Sequence, residues 1–280
     1  MGDELVQLLP RVSVIVPSFN HKNYVEEAVN SVLSQVQDTF KLELLVVDDG
    51  SSDGSVDVLK ALHSRAGESF QLILKGNEGL CQTLNRVIRD CSSGTYIAVL
   101  ASDDLWHPEK LTKQLECMRS NPAARLCYSN AEVFGFDTMS GRRKSGKAQR
   151  YQFSGRVNNL LPLNNFVPAG SVMFSRDLFD EIEGFDQSGL RLEDWDFLIR
   201  ASVRTPFCLV KECLLFYRQH DESAISRMRR SGTLFSEKMK VLRKNCKLLN
   251  PLVLAASVFI NFALDKLIRP VLSRVAVDRF

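Results

Sequence analysis

Long hydrophobic runs are missing from this sequence. The longest, residues 252–264, stops at Asp265-Lys266, short of the roughly 18 apolar residues expected of a membrane-spanning helix. The opening MGDELVQLLPR has no cationic leader with an apolar stretch behind it, so no signal peptide is expected. Paired cysteines are missing too. Seven stand singly at 81, 91, 117, 127, 208, 213 and 246, an odd number with no CxxC. That pattern offers neither a zinc motif nor a disulfide framework, and it fits small buried hydrophobes in a reducing, cytosolic compartment. Charge of one sign is not in large excess: 36 Lys and Arg against 33 Asp and Glu leave +3, so global charge does not argue for nucleic acid. There is no GxxxxGK[ST] and no GxGxxG after the first apolar run, which speaks against a P-loop NTPase and a dinucleotide-dependent dehydrogenase. Internal repeats and low-complexity tracts are also absent.

What is present is an alternation of two periods. A chain of 280 residues can form one large domain, or one plus an appendage. Short β-branched or apolar runs at 12–16, 42–47, 72–74, 95–100 and 126–129 read as strands. Between them lie helical patterns: residues 22–36, a helix opened by Asp53-Gly54-Ser55, residues 79–91, and a helix after Pro108. This alternation predicts an α/β fold with a mostly parallel central sheet flanked by helices. Residues 137–150, DTMSGRRKSGKAQR, read as a polar, basic loop suited to a lid. Beyond it, 175–182 and 193–203 look helical and 207–217 extended.

Acidic clusters mark the strand ends. Asp48-Asp49 follows the run LLVV, and Asp103-Asp104 follows YIAVL. In an open α/β sheet that edge is where ligands bind. Turn and cap chemistry accounts for Ser51 to Ser55 without any function, but two adjacent carboxylates at a strand end need compensation, for example from donors on a ligand. Paired acids also suit a hard divalent cation with phosphate oxygens; the plainer reading of Asp103-Asp104 is a cap for the next helix. Glu193-Asp194-Trp195-Asp196 opens a helix, where acids favour the macrodipole, and Asp194 is a candidate general base. His220, in His220-Asp221-Glu222, reads either as a surface residue or as a ligand to metal or phosphate.

Four segments carry a resemblance: VSVIVPSFNHKNYVEEAVNSVLSQ, ELLVVDDGSSDGS, NEGLCQTLNRVIRDCSSGTYIAVLASDDLWHPEKLTKQL and AGSVMFSRDLFDEIEGFDQSGLRLEDWDFLIRAS. In order and spacing, over about residues 11–222, the chain resembles the family-2 glycosyltransferases of GT-A fold. The resemblance implies an inverting, metal-dependent enzyme that moves a sugar, such as a hexose, from a nucleotide-diphosphate donor to an acceptor hydroxyl. It implies nucleotide contacts at Pro17, Ser18, Phe19, Asn20, Asp48, Asp49, Asn77, Gly79, Asn85, Arg86 and Asp103. It implies Mg²⁺ or Mn²⁺ held by Asp104 and Asp103 with His220 nearby, and catalysis by Asp194 with Glu193 beside it. One departure stands out: many members read Leu-Asp-x-Asp-Asp where this chain has Leu100-Ala101-Ser102-Asp103-Asp104. Two other readings stay open, a nucleotidyltransferase and a non-catalytic sugar-nucleotide-binding module.

The expected organisation is a GT-A domain over 1–225 and a helical tail over 226–280. Within the domain, a donor-binding half spans about 11–130 and an acceptor half about 150–225. The tail mixes apolar residues with Lys238, Lys240, Arg243, Lys244, Lys247, Lys266, Arg269, Arg274 and Arg279. It reads either as a basic amphipathic element for an anionic membrane surface or as a segment packed on the domain. A peripheral position on the inner membrane face would suit a lipid-linked or glycan acceptor in polysaccharide or glycolipid assembly.

Overall fold

Strands buried continuously on both faces build the centre of the molecule. The computed structural model describes residues 9–137, 142–149, 153–219 and 224–268. Strands β1 (Arg11–Ser18), β2 (Lys41–Asp49), β3 (Gln71–Lys75) and β4 (Tyr96–Val99) are parallel, in the order β3-β2-β1-β4. Ile15, Leu45 and Ile97 point to one face of this sheet, and Val14, Val46 and Ala98 to the other. Both faces are therefore covered, as a parallel sheet requires.

Helix α1 (Val25–Leu33) buries Val25, Ala28, Val29 and Val32, a single stripe at helical spacing. Helix α2 (Ser55–Ala66) adds Leu59 and Leu62 to the same side. Helix α3 (Leu80–Arg86) covers the opposite face, and its last turn widens to π geometry over Val87–Cys91. Each fully buried valine or leucine contributes about 1.5–3 kcal/mol relative to exposure.

The second half is mixed. It contains β5 (Leu105–Trp106), α4 (Lys110–Ser120), β6 (Leu126–Asp137), β7 (Arg142–Gln149), β8 (Met173–Ser175), α5 (Arg176–Glu181), α6 (Glu193–Arg204) and β9 (Phe207–Arg218). The sheet runs on as β4-β8-β6-β9-β5, with β8 antiparallel to both β4 and β6. The strand expected at 126–129 thus does not pair with β4; β8 intervenes. The segment expected as a lid loop is instead largely strand: β7 pairs antiparallel with β6, from Ala131↔Gln149 to Asp137↔Arg142. The register steps from Val133↔Lys147 to Phe134↔Ser145, which leaves Gly146 as the bulged residue. A bulge and a ready partner strand let a basic, glycine-containing segment pair despite its weak β propensity.

None of the seven cysteines forms a disulfide. Cys127 and Cys208 face each other across β6 and β9, and Cys117 of α4 joins them, with all three sulfurs within 4.8 Å of one another.

Among the described residues three α-helices follow β9: α7 (Ala224–Arg230), α8 (Leu234–Lys244) and α9 (Pro251–Phe262). Met228, Leu234, Val241, Leu242 and Leu249 join the core formed by α3, α5 and α6. Through Leu249 the tail therefore packs back onto the domain. Helix α9 starts cleanly, with Pro251 in its first turn and the Asn250 side chain accepting from the Leu252 N–H at 2.9 Å. Among the described residues no helix is long and apolar enough to cross a membrane.

Candidate active site

The carboxyl ends of β1, β2 and β4 meet the first turn of α6 around a cleft of about 570 Å³, within the usual size of a small-ligand site. Pro17, Ser18 and Phe19 leave β1 and form one wall. Asn20 fixes their exit. Its backbone adopts a left-handed conformation (φ 56°), which asparagine tolerates. Its N–H donates to Ser51 Oγ at 2.8 Å, and its side-chain oxygen accepts from the Ser52 N–H at 2.9 Å.

The two aspartates ending β2 diverge. Asp48 is buried, away from the cleft lining, and accepts from the Ser51 N–H at 2.8 Å and Ser51 Oγ at 2.7 Å. In this structure it closes the turn onto Ser51. Asp49 lines the cleft and accepts from Lys75 Nζ and from the N–H groups of Glu78 and Gly79, both at 2.9 Å. Burial pushes the Asp49 carboxyl up, but the Lys75 ammonium and these donors outweigh it and hold the group below the usual carboxylate range. Asp49 thereby orders the Asn77–Gly79 segment, which also lines the cleft. Gly50 lets that segment approach: at φ 80° a side-chain β-carbon would lie 2.8 Å from the Asn77 nitrogen.

Two sequence candidates lie outside this wall. Asn85 is buried and bonds both ends of its amide to the backbone of Phe185, at 2.7 and 2.8 Å. Its described contacts tie α3 to the loop before α6. Arg86 is solvent-facing and pairs with Glu78 at 3.2 Å.

At the end of β4, Ala101 and Ser102 line the cleft, and Ser102 Oγ meets His21 Nδ1 at 2.7 Å. Ser102 is only 1% exposed, so its hydroxyl fixes the His21 ring rather than facing a substrate. Asp104 sits just behind Gly170, a lining residue: a β-carbon on Gly170 would lie 3.4 Å from Asp104 Oδ2. Trp106 Nε1 holds the Gly170 carbonyl at 2.8 Å. Burial, with Asp103 adjacent, pushes the Asp104 carboxyl well above its ordinary range, and Arg218 only partly offsets this. Arg218 pins both acids from β9. Its N–H donates to Asp104 Oδ1 at 2.8 Å and its Nε to the Asp103 carbonyl at 2.7 Å, while its guanidinium lies over the rings of Tyr24 and Phe134. His220 lies outside the described residues.

Across the cleft, α6 presents Glu193 and Asp194. Burial, reinforced by the neighbouring Asp194, pushes Glu193 up to about 8. Burial also raises Asp194; the Trp195 N–H and the Asn165 side chain, 3.1 Å from Asp194 Oδ2, partly counter it. Trp195 Nε1 donates to the Leu161 carbonyl at 2.9 Å, which fixes the loop that carries Asn165. Arg227 of α7 completes this side.

One cleft therefore gathers Pro17, Ser18, Phe19, Asp49, Asn77, Gly79, Glu193 and Asp194, with Asp104 immediately behind its rim. Asn20, Asp48, Asn85, Arg86 and Asp103 are not among its lining residues. Sequence reasoning passed over Lys75, Asn165, Arg218 and Arg227. Arg218 lies two residues before His220, and Arg227 lies at the start of the basic tail; neither Lys75 nor Asn165 carries a local signal.

The family model described as "Glycosyl transferase family 2" matches residues 13–183. A Bacillus subtilis protein bearing the name of a teichuronic acid biosynthesis glycosyltransferase, TuaG, is 38% identical over 115 residues, 41% of this chain and 44% of that protein. An uncharacterized glycosyltransferase of Nostoc is 25% identical over 214 residues, 75% of this chain and 65% of its own. The chain thus spans from under half to about two thirds of the length of these relatives. Among solved structures, S. aureus TarS (residues 1–349) superposes with a TM-score of 0.63 at 17% identity, covering 90% of this chain and 72% of that one. The Pyrobaculum calidifontis mannosyltransferase PcManGT, solved with GDP-Man and Mn2+, gives 0.62 at 17% identity, covering 96% and 75%. At such identities these likenesses speak for the fold, which is of GT-A type. With the sequence match running from β1 past the Asp103-Asp104 strand end, the chain belongs to glycosyl transferase family 2.

Proposed function

We propose that this cleft transfers a sugar, such as a hexose, from a nucleotide-diphosphate donor to an acceptor hydroxyl, with inversion at the anomeric carbon. The observation that carries this reading is the placement of Asp194: a partly buried carboxyl, with no ion-pair partner among the described residues, facing the wall of Pro17–Phe19, Asp49 and Asn77 across a single cavity. Phe19, half exposed at the rim, offers a ring to a base. Asp194 takes the proton of the acceptor hydroxyl as its oxygen bonds to the anomeric carbon, while the bond from that carbon to the diphosphate oxygen breaks. A positioned base contributes about 10²–10⁴-fold. Arg227 supplies positive charge on the same side of the cleft.

The acid behind Gly170 fits a hard cation. Asp104 is a buried carboxyl with no cationic side chain among its described hydrogen bonds, and such a group suits Mg²⁺ or Mn²⁺. Held by Asp104 with Asp103, that ion would neutralise charge on the departing diphosphate. Ala101 in place of an acid leaves the set one carboxylate short, which predicts weaker metal affinity. Neighbouring structures hold UDP, UDP-GlcNAc and GDP-Man with Mn2+, which supports the nucleotide-sugar class. The teichuronic name of the B. subtilis relative supports a glycan acceptor; a lipid-linked one, reached from the cytoplasmic side of a membrane, belongs to the same proposal.

Ala101 also favours a second reading, a module that binds the donor without using it. Thermal-shift measurements with nucleotide diphosphates and their sugars, with and without Mn²⁺, test donor binding. Release of nucleoside diphosphate from the stabilising sugar nucleotide then separates enzyme from binder. Asp104→Ala is expected to lose both the Mn²⁺-dependent shift and the release. No shift with any nucleotide sugar would sink both readings.

A further inference from the structure

Helix α9 is built inside out. Ser257 and Asn261 are fully buried, and Asp265, one turn further, pairs with Lys238 of α8 at 2.8 Å. Asn261 Nδ2 donates to the Leu163 carbonyl at 3.0 Å. Spacing of i, i+4, i+8 puts these polar groups on the face turned toward the protein. The outward face is apolar: Leu252 is 80% exposed and Phe259 71%, with Val258 and Phe262 above 40%. A helix on a water-facing surface shows the reverse pattern, so an exposed stripe of this kind marks an interaction site.

The charge around the stripe has one sign. Between Glu237 and Asp265 the sequence has five Lys and Arg and no acid. The two flanking acids are turned inward, with side chains 8% and 5% exposed, whereas Arg243, Lys247 and Lys266 are exposed. Two copies of the chain meeting at a self-complementary interface would bring like charges together. An anionic headgroup layer would neutralise them.

The geometry points to α9 as a docking element that lies in the plane of an anionic bilayer, with Leu252, Phe259 and Phe262 entering the boundary between headgroups and acyl chains. Its polar inner face remains fastened to the domain through Lys238–Asp265 and Asn261, so docking needs no unfolding. Only the purpose of docking, bringing the cleft to a lipid-linked acceptor, rests on the function proposed above.

Flotation of the full chain with vesicles of phosphatidylcholine and phosphatidylglycerol tests the surface without donor or acceptor. Binding is expected with the anionic vesicles and weak with phosphatidylcholine alone. The double variant Leu252→Ser/Phe259→Ser should lose at least about tenfold in partitioning while keeping its melting temperature. A separate Phe259→Trp variant should shift its emission to the blue on anionic vesicles only. Equal flotation of wild type and double variant, or an unmoved Trp emission, overturns the proposal. So does a wild-type dimer in light scattering that the double variant breaks while neither form floats, because the stripe then belongs to a second copy. If no nucleotide sugar stabilises the protein but these vesicle results hold, the catalytic reading fails and the docking surface stands.

Discussion

The first turn of α6 treats its acids in two ways. Asp196 is fully buried and compensated: Arg200 Nε lies at 2.8 Å, Lys244 Nζ at 2.9 Å and Asn245 Nδ2 at 2.8 Å. Glu193 and Asp194 sit on the same turn and gain the same favourable helix dipole, yet no cation is within ion-pair distance of either among the described residues, and burial raises both. The dipole therefore does not explain the difference. What stands opposite does: protein cations face Asp196, and an open cleft faces the other two. A buried charge that the protein neutralises itself is holding elements together, here α6 to α8. One left for something outside the fold to neutralise is a candidate for chemistry.

Exchanging the roles of these acids would break the comparison, and this carries the largest expected effect. Asp194→Asn should lower transfer by about 10²–10⁴-fold while the donor-induced thermal shift persists. Asp196→Asn should do the opposite. It strands Arg200 and part of the Lys244 charge, and urea melts should show a loss of about 3–5 kcal/mol with transfer per folded molecule retained. If Asp194→Asn transferred at the wild-type rate, the base assignment would be wrong.

A buried cation on the other face of the sheet sharpens the point. Lys110 is fully buried, bonds Gln114 Oε1 at 2.6 Å and lies 3.9 Å above the Trp106 ring. Burial pushes it from 10.5 down to about 7. Between those values the unfolded chain holds a proton that the folded one has released, so stability should rise as pH climbs from about 7 toward 10.5. Lys110→Met should remove this slope and stabilise the protein by a few kcal/mol at pH 7. Denaturant melts of both forms across that range check it.

How much of this was legible in the sequence follows from the range of each signal. The parallel half was readable because β-branched runs and helical stripes are local patterns: β1 to β4 and α1 to α4 fall where the periodicity placed them. The antiparallel insertion of β8 was not, because Met173–Ser175 is three residues long and its place depends on two distant partners. The 142–149 segment misled because composition says loop where pairing with β6 makes strand. Motif spacing found the acids but could not separate Asp48, closed on Ser51, from Asp49, open to the cleft. Residues that act on those acids from 26 to 114 positions away, Lys75, Asn165 and Arg218, leave no mark at short range.

A smaller effect tests the uncompensated side directly. With Glu193 pushed up to about 8, it stays protonated at neutral pH and ionises, in the cleft proposed for an anionic donor, as pH rises through that value. Transfer should then decline on the alkaline side. Glu193→Gln should remove this decline and leave the neutral-pH rate within a few-fold, about 1 kcal/mol or less. The profile of kcat/KM for the donor between neutral and alkaline pH reads it.

The smallest change touches the one side chain that does bond Asp194. The Asn165 amide favours the ionised carboxylate and so lowers its pKa against the pull of burial. Asn165→Ala removes that donor, and the acid limb of the transfer profile should move to higher pH, opposite in sense to any relief of repulsion. A hydrogen bond to a charged group is worth about 1.5–3 kcal/mol. Part of that will be recovered by water in an open cleft, so a loss of about 3–10-fold is expected along the acid limb, with recovery as pH rises. A merely structural role for Asn165 would lower the rate equally at every pH and leave the limb in place. That outcome would sharpen the contrast with Asp196, because Asp194 would then draw no compensation from Asn165.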